Sequence, residues 1–176
     1  MSNRYHWNPR IAIKQSIKNF EYIWCLYLEL SNIIPNLPKG SSNKKRNKKF
    51  YAVTIQTRQL KCLIEIRSLF YINKSNLFTR SLQLDLFHYL DYIAIAHWIK
   101  GDGSKHNKGI ILCTDGFELK EVIFLKNILR IKYQIYPTKY FVKNYPRIHI
   151  LKRDLLKIRP FIAPYFVKHF LYKIYL

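Results

Sequence analysis

An aspartate flanked by two glycines, Gly101-Asp102-Gly103, follows the largely apolar run Leu90-Asp91-Tyr92-Ile93-Ala94-Ile95-Ala96-His97-Trp98-Ile99-Lys100. Asp91 can cap a helix there by accepting from its first free N–H groups, and the glycines break it around Asp102. An acid is thus held at a helix end. A carboxylate so presented is a candidate ligand for Mg2+, which takes few protein carboxylates and completes its shell with water and phosphate oxygens. The bland alternative is an acid that caps a turn between two glycines. Ala94, Ala96 and Gly101 are small enough for another backbone to approach this helix closely.

Few other residues invite chemistry. His97 beside Trp98 on an apolar helix reads as a packed interface residue, and His149 and His169 are likewise unassigned. Cys25, Cys62 and Cys113 stand singly with no C-x-x-C pair, which argues against a zinc site and a disulfide framework and predicts reduced core residues. The Tyr and Phe residues fall mostly at core periodicities, for example Phe117, Phe124, Phe161 and Tyr165.

The elements that must position Asp102 repeat along the chain. Tyr51, Val53 and Ile55 alternate as in a strand; Arg58 then opens a segment with Leu60, Leu63, Ile66 and Phe70 at helical spacing. Ile148 and Ile150 alternate in the same way, and Arg153 is followed by Leu155, Ile158, Phe161 and Tyr165. Upstream, a strand over 10–14 leads through Gln15-Ser16 into a helix over about 18–30. Its counterpart is a strand over 109–113, a turn Thr114-Asp115-Gly116 and a helix over about 117–132. Ser16, and Thr114 or Asp115, are the expected N-caps. Each half reads as strand, helix, strand, strand, helix, with the division at 1–88 and 89–176. Between the elements of the first half, residues 39–49 hold six basic residues among Gly, Ser and Asn and nothing to bury, so they read as a basic loop.

Charge identifies the class of partner. The chain carries 31 Lys plus Arg against 10 Asp plus Glu, a net +21. Residues 1–88 hold 15 basic and 4 acidic residues (+11) and residues 89–176 hold 16 and 6 (+10), so the charge is not a tail. A field of this size opposes compaction unless a polyanion absorbs it, and nucleic acid is the obvious one. No run of about 18 apolar residues exists and Met1–Arg10 is polar and aromatic, so neither a membrane partner nor a signal peptide is expected. Heavy use of Ile, Lys, Asn, Tyr and Phe fits an AT-rich organelle genome, mitochondrial or plastid.

The stretch Ile95-Ala96-His97-Trp98-Ile99-Lys100-Gly101-Asp102-Gly103 resembles the nonapeptide that names the LAGLIDADG homing endonucleases. Ile111-Leu112-Cys113-Thr114-Asp115, the end from Pro164 to Ile174 with Leu171-Tyr172-Lys173-Ile174, and upstream Lys14 to Tyr22 and Thr57-Arg58-Gln59-Leu60 resemble the mitochondrial intron-encoded branch. Nearly the whole chain is covered. The resemblance implies an α+β fold of two pseudo-repeated halves, whose antiparallel strands form a saddle along nucleic acid, with two motif helices at the interface. It further implies Asp102, with Gly101, as a Mg2+ ligand, Gln15 and Asp115 as water-positioning groups, and Lys152 as a nearby cation.

Only one motif is present in these residues: 1–9 contain no Gly-Asp-Gly, and no acid before Asp85 is flanked by glycine. The second acid then lies on an upstream exon or another chain, or two copies pair through helix 91–101, or cleavage has been lost. Strand alternation makes Lys14, Gln56, Arg58, Lys139, Lys143, Arg147 and His149 candidates for touching a duplex. Lys44, Lys45, Arg46, Lys48 and Lys49 of the basic loop join them, as do Lys105 and Arg153. Three functions follow: a Mg2+-dependent, site-specific DNA endonuclease; a non-catalytic binder of structured RNA, such as an intron maturase or an organelle ribosome component; and a non-specific basic binder.

Overall fold

The computed structural model describes residues 8–45, 48–74, 77–106 and 108–176. The chain divides into two compact units, Met1–Ser68 and Leu69–Leu176.

In the first unit, strand β1 (Ala12–Ser16) runs through a short 3-10 turn into helix α1 (Phe20–Glu29). Strands β2 (Lys39–Lys45) and β3 (Lys48–Gln56) follow, then helix α2 (Leu63–Phe70), which crosses the unit boundary. The sheet is antiparallel in the order β1-β3-β2. Alternation along β3 sends Val53 and Ile55 inward, where α1 buries Tyr22, Ile23 and Leu26. Ser16 caps the 3-10 turn rather than α1, its Oγ accepting from Lys18 N–H at 3.4 Å, and the cap position of α1 falls to Asn19.

The basic stretch 39–49 is not a loop. Its ends are the two strands of a hairpin, in which Lys44 faces Lys49 and Lys45 faces Lys48. Backbone ladder bonds do not require an apolar pattern, so an edge strand exposed along its length gives the sequence nothing periodic to show.

The second unit opens with a two-stranded ribbon, β4 (Tyr71–Lys74) and β5 (Leu77–Arg80), and a single helical turn α3 (Leu86–Tyr89). Helix α4 (Tyr92–Asp102) then feeds strands β6 (Gly103–His106) and β7 (Gly109–Leu112). Helix α5 (Leu119–Tyr133), strands β8 (Thr138–Val142) and β9 (Tyr145–Leu151), helix α6 (Lys152–Ile162) and 3-10 segments Ala163–Tyr165 and Lys168–Ile174 complete it. The sheet order is β6-β7-β9-β8, antiparallel throughout. The two-residue β8–β9 turn puts Lys143 (φ 49°) and Asn144 (φ 67°) in the left-handed region, as a type I′ hairpin turn demands. Lys143 therefore sits on a turn rather than on a strand.

The core of this unit is aliphatic. Ile95, Ile99, Ile110, Leu112, Leu129, Ile148, Ile150 and Leu155 are fully buried, whereas Phe117 and Phe124 are only half-buried and Phe161 and Tyr165 are exposed. Phe117 and Phe124 do pack against this core and Phe170 is buried, but the expectation is corrected for Phe161 and Tyr165: Phe161 lies outside, stacked on Tyr92 with ring centroids 4.8 Å apart. The cysteines are free, but Cys62 is exposed and Cys25 and Cys113 are half-buried, so they are not core residues. The cap of α5 also moves. Glu118 and Glu121 form a reciprocal capping box, while Thr114 Oγ1 donates to the Pro146 carbonyl at 2.6 Å and Asp115 binds Arg147. Among the described residues no helix is long and apolar enough to cross a membrane.

Candidate nucleic-acid interface and its acid

Helix α4 starts where the sequence places it: Asp91 Oδ1 accepts from Ala94 N–H at 2.7 Å. Ile95, Ala96 and Ile99 turn into the core. Ala96 is therefore unavailable to an approaching helix; the outward face carries Ile93 and Gly101, with Ala94 and His97 half-buried. The helix runs through Gly101 and ends at Asp102, so only Gly103 stops it. A Cβ on Gly103 would lie 2.5 Å from the Ile99 carbonyl oxygen, whereas one on Gly101 would meet open space.

Asp102 is fixed by its backbone, because its carbonyl accepts from Cys113 N–H at 3.1 Å, just beyond β7. Its carboxylate has no hydrogen bond and no ion pair among the described residues. Although the residue reaches solvent, burial by the surrounding protein raises its carboxyl above the usual value of 3.8, and Lys173 opposes this more weakly. Lys173 is buried and donates from Nζ to the carbonyls of Ile99 (3.1 Å) and Lys100 (2.8 Å). Burial pulls its ammonium down to about 8, against the pull of Asp102. Lys100, also buried, donates to the Tyr165 carbonyl at 2.6 Å.

An unpartnered carboxylate at the negative end of a helix suits a hard divalent cation. Among the described residues no group of three or more His, Cys, Asp or Glu could hold a metal ion. A cation held at Asp102 would therefore take most of its ligands from water and phosphate oxygens.

The other sequence candidates scatter. Lys152 does not contact Asp102: its ammonium lies over the Tyr175 ring, 4.6 Å from the centroid, and Lys105 takes the same ring at 4.5 Å. Gln15 is in the first unit, where its Oε1 accepts from Asn19 at 2.9 Å. Asp115 is engaged by Arg147 through two hydrogen bonds of 2.6 Å, and the guanidinium holds the carboxyl below the usual range. The two therefore form a fork-to-fork ion pair. Arg153 is exposed, 3.6 Å from the buried Asp154.

Strand register assigns faces. Arg147 and His149 alternate with the buried Ile148 and Ile150, so they lie on the outer face of the sheet, opposite Tyr140 and Thr138 of β8. Lys139 pairs with Ile148 and so stands on the helix side, where its charge lowers the pKa of Lys126 on α5 after burial has done so more strongly. In the first unit Lys14, Gln56, Lys39 and Thr54 line one cleft of about 270 Å3. Arg58 is exposed just after β3. Lys44, Lys48 and Lys49 are exposed on the hairpin with Lys45 in β2, and Arg46 lies outside the described residues.

Two features did not show in the sequence. One is Lys173, whose signal is a lysine set among Leu171, Tyr172 and Ile174. The other is the pair His106 and His149, edge to face with centroids 5.4 Å apart and packed against Tyr140. His106 Nδ1 and His149 Nε2 are buried without a hydrogen-bond partner among the described residues, while Thr138 Oγ1 lies 3.3 Å from His149 Nδ1. Burial, then His106, holds His149 below its ordinary value of 6.5. A base with a lowered folded pKa binds its proton more readily unfolded, so stability falls as pH drops from about 6.5 toward the folded value. Melting temperatures taken across pH 7 to 5 should show this fall, and His149→Gln should flatten it; an unchanged slope in the variant would assign the effect elsewhere.

Comparison with known proteins gives the family and the fold. The LAGLIDADG DNA endonuclease family model matches residues 2–158, and the chain belongs to that family. Intron-encoded endonuclease ai4 of Dictyostelium discoideum is 32% identical over 139 residues, which is 77% of this chain and 83% of that protein. Cytochrome b mRNA maturase bI2 of Debaryomyces hansenii is 29% identical over 167 residues, covering 88% of this chain but 62% of the maturase. The fold matches homing endonuclease I-WcaI, solved bound to its DNA recognition sequence, with a TM-score of 0.83 and 23% identity over 95% of this chain and 75% of that one.

Proposed function

We propose that this chain binds duplex DNA through the outer faces of its antiparallel sheets and the basic β2–β3 hairpin, and that Asp102 is one of the two metal-binding acids of a site-specific, Mg2+-dependent endonuclease. The observation that carries this is the unpartnered Asp102 carboxylate at the end of α4, within the stretch matched by the family model. Mg2+ bound there would stabilise charge on a phosphate and activate a water. The chain's own residues hold the acid, through Cys113 and Lys173, and grip phosphates with Lys14, Lys44, Lys48 and Lys49. Lys152 keeps its proposed role as a cation near the scissile phosphate. The second acid would come from another chain segment or a second copy docking on the Ile93–Gly101 face. The repeat division at 88/89 is proposed on the recurrent strand, helix, strand, strand, helix order, and an organelle location, mitochondrial in particular, on the intron-encoded and cytochrome b maturase relatives.

The maturase relatives favour a second reading, in which the same surface holds structured RNA by shape and phosphate contacts and Asp102 is idle. Both readings meet one assay. Purified chain is incubated with Mg2+ and long intronless duplexes spanning the insertion site, and its affinity for duplex and intron RNA is measured over a salt series. Site-specific cutting or nicking supports the endonuclease. No nicking on the complete insertion site, with tight binding to one RNA, supports the maturase. Equal affinity for all polyanions, falling steeply with salt, would leave only a non-specific binder.

A further inference from the structure

The last turn of α4 is held from 73 residues away. A helix leaves its final carbonyls without intrahelical partners, and at α4 a buried lysine takes two of them. Burying an ammonium is costly unless hydrogen bonds and opposite charge compensate. Around Lys173 the compensation is the carbonyls of Ile99 and Lys100, the face of Phe170 with its centroid 4.5 Å from Nζ, and the charge of Asp102. An exposed lysine could satisfy those carbonyls at less cost. The buried arrangement adds rigidity: Lys100 is anchored in turn to the Tyr165 carbonyl, and the Asp102 carbonyl to Cys113.

We propose that Lys173 is a positioning residue for Asp102, fixing the last turn of α4 so that the carboxylate keeps one orientation toward a divalent cation, and making the segment Lys168–Ile174 part of the site. The proposal rests on the reading of Asp102 as a metal-binding acid. Its consequence is that the end of this chain serves the acid and does not merely close the core.

The test uses the full chain and Mn2+ alone, titrated and followed by the spectroscopic signal of the free hydrated ion, with folding checked by thermal melting. Removing a nearby positive charge by itself tightens cation binding, so charge and positioning predict opposite signs. Lys173→Met is expected to weaken Mn2+ binding at least fivefold. Lys132→Met, which loses an ammonium bound to the carbonyls of Phe87 and Leu90 ahead of α4, is expected to lower the melting temperature but keep Mn2+ affinity within twofold. Unchanged or tighter binding in Lys173→Met overturns the proposal, as does an equal loss in Lys132→Met, which would reveal general loosening. Should Lys173→Met fail to fold, Lys173→Leu, which likewise leaves the two carbonyls without a donor, takes its place and is judged by the same outcomes. Asp102→Asn should abolish saturable Mn2+ binding; if it binds as the parent does, the reading of the acid fails, whatever Lys173 does.

Discussion

Asp102→Asn is expected to cut phosphodiester cleavage by about a thousandfold or more while raising the melting temperature at neutral pH. The first effect follows from the role proposed for Asp102 as an anionic metal ligand, since stabilisation of several kcal/mol in a transition state corresponds to at least that factor. The second follows from the sign of the titration shift. Burial raises the Asp102 carboxyl above 3.8 and Lys173 only partly offsets it, so the fold disfavours the ionised form. Such a group's contribution is fully present below 3.8 and is lost as pH rises through the folded value, leaving the penalty in force at pH 7. A neutral amide escapes it. Melting curves at pH 7 and pH 3 should therefore show the variant more stable at pH 7 and the difference shrinking at pH 3. A variant less stable at both would mean that Asp102 holds the fold together instead of serving a ligand.

Gly109→Ala should destabilise the second unit by about 3 kcal/mol or more, enough to threaten its folding. Gly109 has φ +158°, and a Cβ there would stand 2.0 Å from the Ile150 carbonyl oxygen, a backbone atom of β9 that cannot move without breaking the ladder. The Tyr175 hydroxyl also donates toward the carbonyls of Gly109 and His106 at 3.2 Å each, so the clash would reach the end of the chain. Gly101→Ala is the matched control: its Cβ meets open space, and the melting temperature should scarcely change. Equal tolerance of both substitutions would show that β7 and β9 are farther apart than described.

Local signals made much of this legible in the sequence. The order of elements, the Asp91 cap and the position of Asp102 at a helix end depend on neighbours a few residues apart, and pattern and capping reach that far. What stayed hidden depends on long range. Lys173 looks like a surface lysine until its carbonyl partners arrive from α4, and Lys139 looks like a groove residue until its pairing with Ile148 turns it toward the helices. Thr114 and Asp115 are good caps by type, but the sheet claims both, through Pro146 and Arg147, so Glu118 caps α5 instead. The aromatic residues mislead for another reason. Branched aliphatics fill most of the inside of the second unit and Phe170 is buried there, but Phe161 is left at the surface as a lid over Tyr92.

The facing lysines of the β2–β3 hairpin give salt two opposed effects. Ions that weaken the grip on phosphate also relieve the repulsion between the strands, so this element should gain order with added salt while the complex as a whole loses affinity. A polyanion laid along it does both favourable things at once. Part of the attraction to nucleic acid is thus stored in the hairpin before any contact is made, as a spring compressed by its own charge.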